Sequence, residues 1–168
     1  MNASTELKTK CGEPVTIARA GQADLGEILE LQYLAYQSEA RLLNNYNIQP
    51  LQQTYADICL EFEQAVFLKA LDREGKIIGS VRGRPQDDTL HIGKLIVDPG
   101  CRRRGIGSLL LSEIEQACDC GRYELFTSSA SVNNLKLYTG SGYQLFAEKQ
   151  VAAGLTLVFL EKYRKAAP

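Results

Sequence analysis

The run CRRRGIGSLLLSEIEQ, residues 101–116, constrains the chain more than any other stretch. Three adjacent arginines repel one another, and Gly105 and Gly107 weaken the start of the helix predicted by the spacing of Leu109, Leu110, Ile114 and Ala117. The preceding run, TLHIGKLIVDP, has strand character and ends at a proline that cannot continue a ladder. A strand that enters a glycine turn and leaves as an amphipathic helix exposes unpaired N–H groups at the positive end of the helix dipole. Such a turn binds anions, and glycine lets the backbone approach a phosphate closely. A Walker loop is excluded, because Ile106, Gly107 and Ser108 follow Gly105 with no lysine. A dinucleotide fingerprint is excluded too, since Leu110 stands where its third glycine belongs.

Around this core motif the hydrophobic period switches repeatedly between two and about 3.6. VTIARA alternates as a half-buried strand, and GQADLGEILELQYLAYQSEARLL turns helical with Leu25, Ile28, Leu29, Leu31 and Leu34 on its apolar positions. QTYADICLEFEQ reads as a second helix, with Tyr55, Ile58, Leu60 and Phe62 available for burial. AVFLKAL and KIIGSVRGR flank the turn DREG as a hairpin, RYELFTS is a further strand, NNLKLYTGSGY a short helix, and YQLFAEK with GLTLVFLEKY a closing antiparallel pair. The pattern predicts a mixed sheet of the α/β or α+β class with helices on both faces. Residues 1–13 read as a flexible lead-in and 14–168 as a single domain, which a chain of 168 residues accommodates.

Charge and composition narrow the function classes. A formal net charge of -1 exerts no overall pull on nucleic acid, and the arginine cluster lacks the wider basic face a duplex binder needs. Apolar runs such as LTLVFL are far shorter than the roughly 20 residues of a membrane span, and MNASTELKTK has no apolar export segment, so a cytoplasmic protein without membrane partner is expected. Cys11, Cys59, Cys101, Cys118 and Cys120 lack metal-site spacing, and a single histidine leaves too few ligands for a metal. Reduced thiols are expected.

LIVDPGCRRRGIGSLLL resembles the cofactor-binding segment of the GNAT-type (Gcn5-related) N-acetyltransferases, with Arg102, Gly105 and Gly107 on its pattern positions. SVNNLKLYTGSGYQLF resembles that family's second region through Asn134, Leu137, Tyr138, Gly142 and Tyr143, and TIARAGQADLGEILEL is similar to its opening, so the resemblance covers about residues 16–163. It implies a mostly antiparallel central sheet. It also implies that Arg102, Arg103, Arg104, Gly105, Ile106, Gly107 and Ser108 hold the diphosphate of acetyl-CoA, that the backbone of Leu95, Ile96 and Val97 holds its pantetheine arm, and that Asn134 and Tyr138 border the cofactor.

The resemblance further implies direct attack of a primary amine, on a small molecule or a peptide, without an acyl-enzyme. Tyr138 matches the tyrosine that protonates the departing sulfur; its structural alternative is a ring packed in the core. His91, six residues before Val97, stands where the histone-acetylating branch carries a glutamate base, and an imidazole there is either that base or a structural strand residue. Tyr36, Glu39 and Arg82 are the candidate acceptor contacts. Glu39 alternatively sits on a solvated helix face, and Arg82 with Arg84 on the open face of a sheet. A coenzyme-A-binding sensor or interaction module without turnover is the alternative function. Exposed edges of the closing strands allow a homodimer, unless Glu148 and Lys149 blunt them.

Overall fold

The computed structural model describes residues 3–166, so residues 1 and 2 of the expected lead-in and 167 and 168 of the expected domain lie outside the described residues. The strands are β1 Ser4–Lys8, β2 Pro14–Arg19, β3 Val66–Leu71, β4 Ile77–Gln86, β5 Thr89–Val97, β6 Arg122–Ser128, β7 Gln144–Ala152 and β8 Leu155–Tyr163. They form one sheet in the order β1-β2-β3-β4-β5-β6-β8-β7, antiparallel throughout except between β5 and β6. Helices α1 Leu25–Ala35, α2 Gln37–Leu43, α3 Gln49–Gln52 and α4 Tyr55–Phe62 connect β2 to β3. Helix α5, Ile106–Ala117, makes the crossover that a parallel β5–β6 pair requires, and α6, Val132–Gly140, precedes β7. The architecture is the mixed, mostly antiparallel sheet with helices that the sequence pattern predicts.

Two apolar cores flank the sheet. Ile106, Leu110, Leu111 and Ile114 of α5 pack with Val15, Ile17, Val81, Leu90, Ile92, Tyr123, Leu125, Tyr138 and Leu160. On the opposite face Leu25, Ile28, Leu29, Leu31 and Ala35 of α1 pack with Ile58 of α4 and with Phe67, Ile77 and Ile96. Helix α5 lies unusually close to β4, because a methyl group at Gly79 would come within 2.9 Å of Leu110 Cδ1 and one at Gly83 within 3.0 Å of Ile114 Cγ1.

Strand β5 changes cores partway along. Ser80 and Arg82 of β4 face Ile96 and Gly93, so Val81 alone opposes the two residues Lys94 and Leu95. Lys94 takes a left-handed φ of 45° at this bulge. The extra residue reverses the alternation: Leu90 and Ile92 point to the α5 core, whereas Ile96 joins the α1 core.

Three expectations need correction. Residues 4–8 of the presumed lead-in form β1, paired antiparallel with β2 from Ser4↔Ala18 to Lys8↔Pro14. Its side chains are mostly exposed, so it carries almost none of the apolar alternation by which a strand is read. Tyr55 and Leu60 of α4 are exposed, because an eight-residue helix lying on the sheet buries only the stripe centred on Ile58. Arg82 is not on an open sheet face, since α1 and α4 cover that end of β4; Arg84, two residues on, is exposed. Truncating Ile114, which is 0% exposed, to alanine is expected to lower unfolding free energy by about 2–5 kcal/mol at unchanged m-value in urea denaturation.

Candidate active site

Strands β5 and β6 are hydrogen-bonded only over Thr89–Arg122, Leu90–Tyr123 and His91–Glu124. Beyond His91 and Glu124, residues 92–97 and 125–128 remain strand but do not pair with each other, so a slot opens between two backbone edges. Backbone donors and acceptors along such an edge stay available to a ligand.

Helix α5 heads this slot. Its N-cap, Gly105, has a φ of 84°, a left-handed conformation that glycine adopts without a Cβ penalty. The Gly105 carbonyl accepts the first helical bond from Leu109 N at 3.1 Å. Among the described residues no protein group accepts from the N–H groups of Gly105, Ile106, Gly107 or Ser108. Those four donors lie unclaimed at the positive end of the helix dipole, an arrangement that suits an anion.

The neighbouring arginines are deployed unequally. Arg102 donates from Nη2 to the Ala35 carbonyl at 2.9 Å and from Nη1 to Ser38 Oγ at 3.1 Å, so its guanidinium caps the C-terminal end of α1. Arg104 pairs with Glu13 Oε2 at 2.7 Å. Arg103, in a left-handed conformation with φ 64°, is exposed and has no side-chain partner among the described residues.

Tyr138 reaches the slot from α6. The residue is only 7% exposed and its ring meets that of Tyr143 edge-on at 6.3 Å. Its hydroxyl makes no hydrogen bond to the described residues. No fully buried side-chain oxygen there lacks a partner, so this hydroxyl keeps some contact with solvent. Burial, then the nearby Tyr36 phenol and Glu39 carboxylate, push its pKa well above the ordinary tyrosine value. The phenol is protonated at neutral pH, as any tyrosine is, and the rise makes it hold that proton more tightly. Tyr143 behind it donates to Glu115 Oε1 at 2.7 Å, and Lys162 holds the other oxygen of Glu115 at 2.7 Å. Asn134 donates to Thr127 Oγ1 at 3.2 Å, fastening α6 to β6.

Tyr36, between α1 and α2, and Glu39 stand near Tyr138. Ser131 donates to Glu39 Oε1 at 2.5 Å, joining the start of α6 to α2. Burial drives the Tyr36 phenol up to about 12, with Glu39 and Glu61 adding to the rise and Arg82 opposing it. His91 occupies the last paired rung, opposite Arg84 on one side and Glu124 on the other. Its Nδ1 lies 4.0 Å from Glu124 Oε1, and its side chain is 38% exposed.

Arg82, 3% exposed, anchors a polar network that sequence reading missed. Its Nη1 donates to Glu61 Oε2 at 2.6 Å and to Gln53 Oε1 at 3.0 Å, its Nη2 to Gln32 Oε1 at 2.5 Å, and its guanidinium stacks 4.6 Å over the Phe67 ring. Lys94 approaches the same Glu61 oxygen at 3.4 Å. Burial raises the Glu61 carboxyl, but Arg82, Gln53 and Lys94 outweigh it and hold the group below its usual range. Burial keeps Lys94 below the usual lysine range against the pull of Glu61. One signal was legible: Gln32 falls on the Leu25, Ile28, Leu29, Ala35 stripe of α1, where a polar residue demands a partner.

A bulged sheet whose two parallel strands part beneath the head of a helix sets open backbone edges beside unclaimed N–H donors. The sequence pattern of the Acetyltransferase (GNAT) domain matches residues 34–164, and the chain belongs to this family of acyltransferases, whose general reaction is acetyl transfer to an amine. The GNAT domain of S. lividans PAT superposes with a TM-score of 0.76 over 96% of this chain and 97% of its own, at 18% identity. A GNAT superfamily phosphinothricin acetyltransferase from Sinorhizobium meliloti, solved in complex with AcCoA, gives 0.70 over 89% and 88% at 21% identity. UPF0157 protein YqkA of Bacillus subtilis is 31% identical over 140 residues; the match spans 83% of this chain but 40% of that protein's length.

Glu61→Gln strands Arg82 in the interior without a counter-charge and is expected to cost about 3 kcal/mol of stability in urea denaturation. Because the folded state lowers the Glu61 pKa, its contribution is complete above the unfolded-state value and is lost as pH falls through the folded one. The variant should therefore lose less stability than wild type on acidification below neutral pH.

Proposed function

We propose that the protein transfers the acetyl group of acetyl-CoA to a primary amine of a small molecule or peptide by direct attack. The unclaimed N–H groups of residues 105–108, opening beside an unpaired strand edge, carry this assignment. Acetyl-CoA supplies the activated acetyl group. Gly105, Ile106, Gly107 and Ser108 would hold its diphosphate, with Arg103 adding charge, while the free edge of Leu95, Ile96 and Val97 would hydrogen-bond the pantetheine amides. Arg102 and Arg104 serve indirectly, fixing the turn to α1 and to the β1–β2 hairpin. Asn134 acts likewise, by placing α6.

Transfer forms a nitrogen–carbon bond and breaks a carbon–sulfur bond, so one proton must leave the amine and another must reach sulfur. His91, whose Nδ1 lies 4.0 Å from Glu124 Oε1, takes the first. Tyr138, a phenol that carries its proton at neutral pH, gives the second. Tyr36 and Glu39 border the acceptor, and the Glu39 carboxylate suits a cationic amine, which releases one proton to solvent before the neutral amine attacks and gives up a further proton to the base. Arg82 stays within its network and shapes the wall rather than touching the acceptor. Among the described residues no helix is long and apolar enough to cross a membrane, and all five cysteines are unpaired, which fits a reducing, cytoplasmic setting.

Tyr138→Phe is expected to lower kcat by about 10²-fold while the calorimetric Kd for CoA changes little. Unchanged turnover would remove Tyr138 from the chemistry. His91→Ala should abolish the acidic limb of the kcat/KM pH profile; a limb that survives assigns the base elsewhere.

A further inference from the structure

The β1–β2 hairpin ends in a loop closed by Thr9 N to Glu13 O at 2.8 Å, Glu13 N to Thr9 Oγ1 at 3.1 Å and Gly12 N to Thr9 O at 2.9 Å. This loop docks on the turn that precedes α5. Lys10 N donates to the Arg104 carbonyl at 2.8 Å, and Glu13 pairs with the Arg104 guanidinium. The stem of Lys10 then runs across the helix cap: a methyl group at Gly105 would lie 2.9 Å from its Cγ, 3.3 Å from its Cδ and 3.2 Å from its Cε. Gly105 is thus glycine for two reasons, its positive φ and the alkyl chain laid over it.

The ammonium at the end of that stem has no ion-pair partner among the described residues. Glu13, on the same loop, is engaged with Arg104. A cation on the stem that crosses this cap lies at the positive end of α5, which is unfavourable in the free protein. Its position becomes favourable when an anion occupies the four N–H groups at the same spot.

We propose that Lys10 is a phosphate-binding residue of the acetyl-CoA site, contributed by the N-terminal hairpin and directed at the diphosphate. The inference rests on the acetyl-CoA reading above. CoA carries a second source of the same chemistry, its 3′-phosphate, so the test must separate the two.

Calorimetry on the full chain with CoA and with dephospho-CoA, which lacks the 3′-phosphate, makes that separation. Lys10→Met keeps the stem over Gly105 and removes only the charge. It is expected to weaken both ligands equally, by about five- to tenfold, the upper range for a partly solvated charge pair. Lys10→Arg should bind within about twofold of wild type, and the affinity of wild type should fall more steeply with salt than that of Lys10→Met. Equal binding by Lys10→Met and wild type, a loss confined to CoA, or an equal loss in Lys10→Arg would each overturn the assignment. Wild-type protein that binds neither ligand would instead sink the acetyl-CoA reading, and the role of Lys10 with it.

Discussion

Two parallel strands that begin paired and then separate determine what the rest of this molecule can be. Unpaired backbone within a fold is costly unless something else satisfies it, since each buried N–H or C=O without a partner forfeits a hydrogen bond. Here β5 parts from β6 after the His91–Glu124 rung, and the edges that face each other stay open to a guest. The bulge at Lys94 accompanies the separation and hands Ile96 to the second core, so β5 remains anchored to β4 and α1 as it leaves β6. With one side held by β4 and the other by β8, the slot does not need its occupant in order to exist.

Electrostatics follow from that geometry. The sequence places three arginines at the turn, yet the fold assigns Arg102 to the end of α1 and Arg104 to the N-terminal hairpin. The anion site is therefore built chiefly from backbone, which costs no side-chain ordering when a ligand arrives. On the other side of the slot, Arg82 and Lys94 share Glu61, and Gln32 and Gln53 absorb the remaining donors of Arg82. That wall is stiff because its members satisfy one another, and removing Glu61 leaves the buried Arg82 charge without a counter-ion.

Much of this was legible beforehand, for identifiable reasons. The strand–turn–helix around Gly105 declares itself through local residues alone, and both hairpins flanking the slot follow from alternation and turn chemistry. Tyr138 and His91 could be addressed by spacing within elements that did form. What escaped depends on contacts between distant segments. Strand β1 has no apolar rhythm because it lies at the sheet's edge with mostly solvated side chains. The burial of Arg82 comes from helices placed more than 20 residues earlier in the chain, and the partners of Arg102 and Arg104 lie 67 and 91 residues away. Period and propensity carry no information about such meetings, whereas a polar residue on an apolar helix stripe, as with Gln32, carries a little.

The chain of contacts behind Tyr138 ties the tip of its ring to the far end of the polypeptide. Its neighbour Tyr143 hangs on Glu115 of the crossover helix, and Glu115 is gripped in turn by Lys162, among the last residues of β8. The orientation of the phenol is thus inherited from α5, Tyr143 just ahead of β7, and β8 together. A copy lacking that last strand would keep Tyr138 itself and lose the brace behind it.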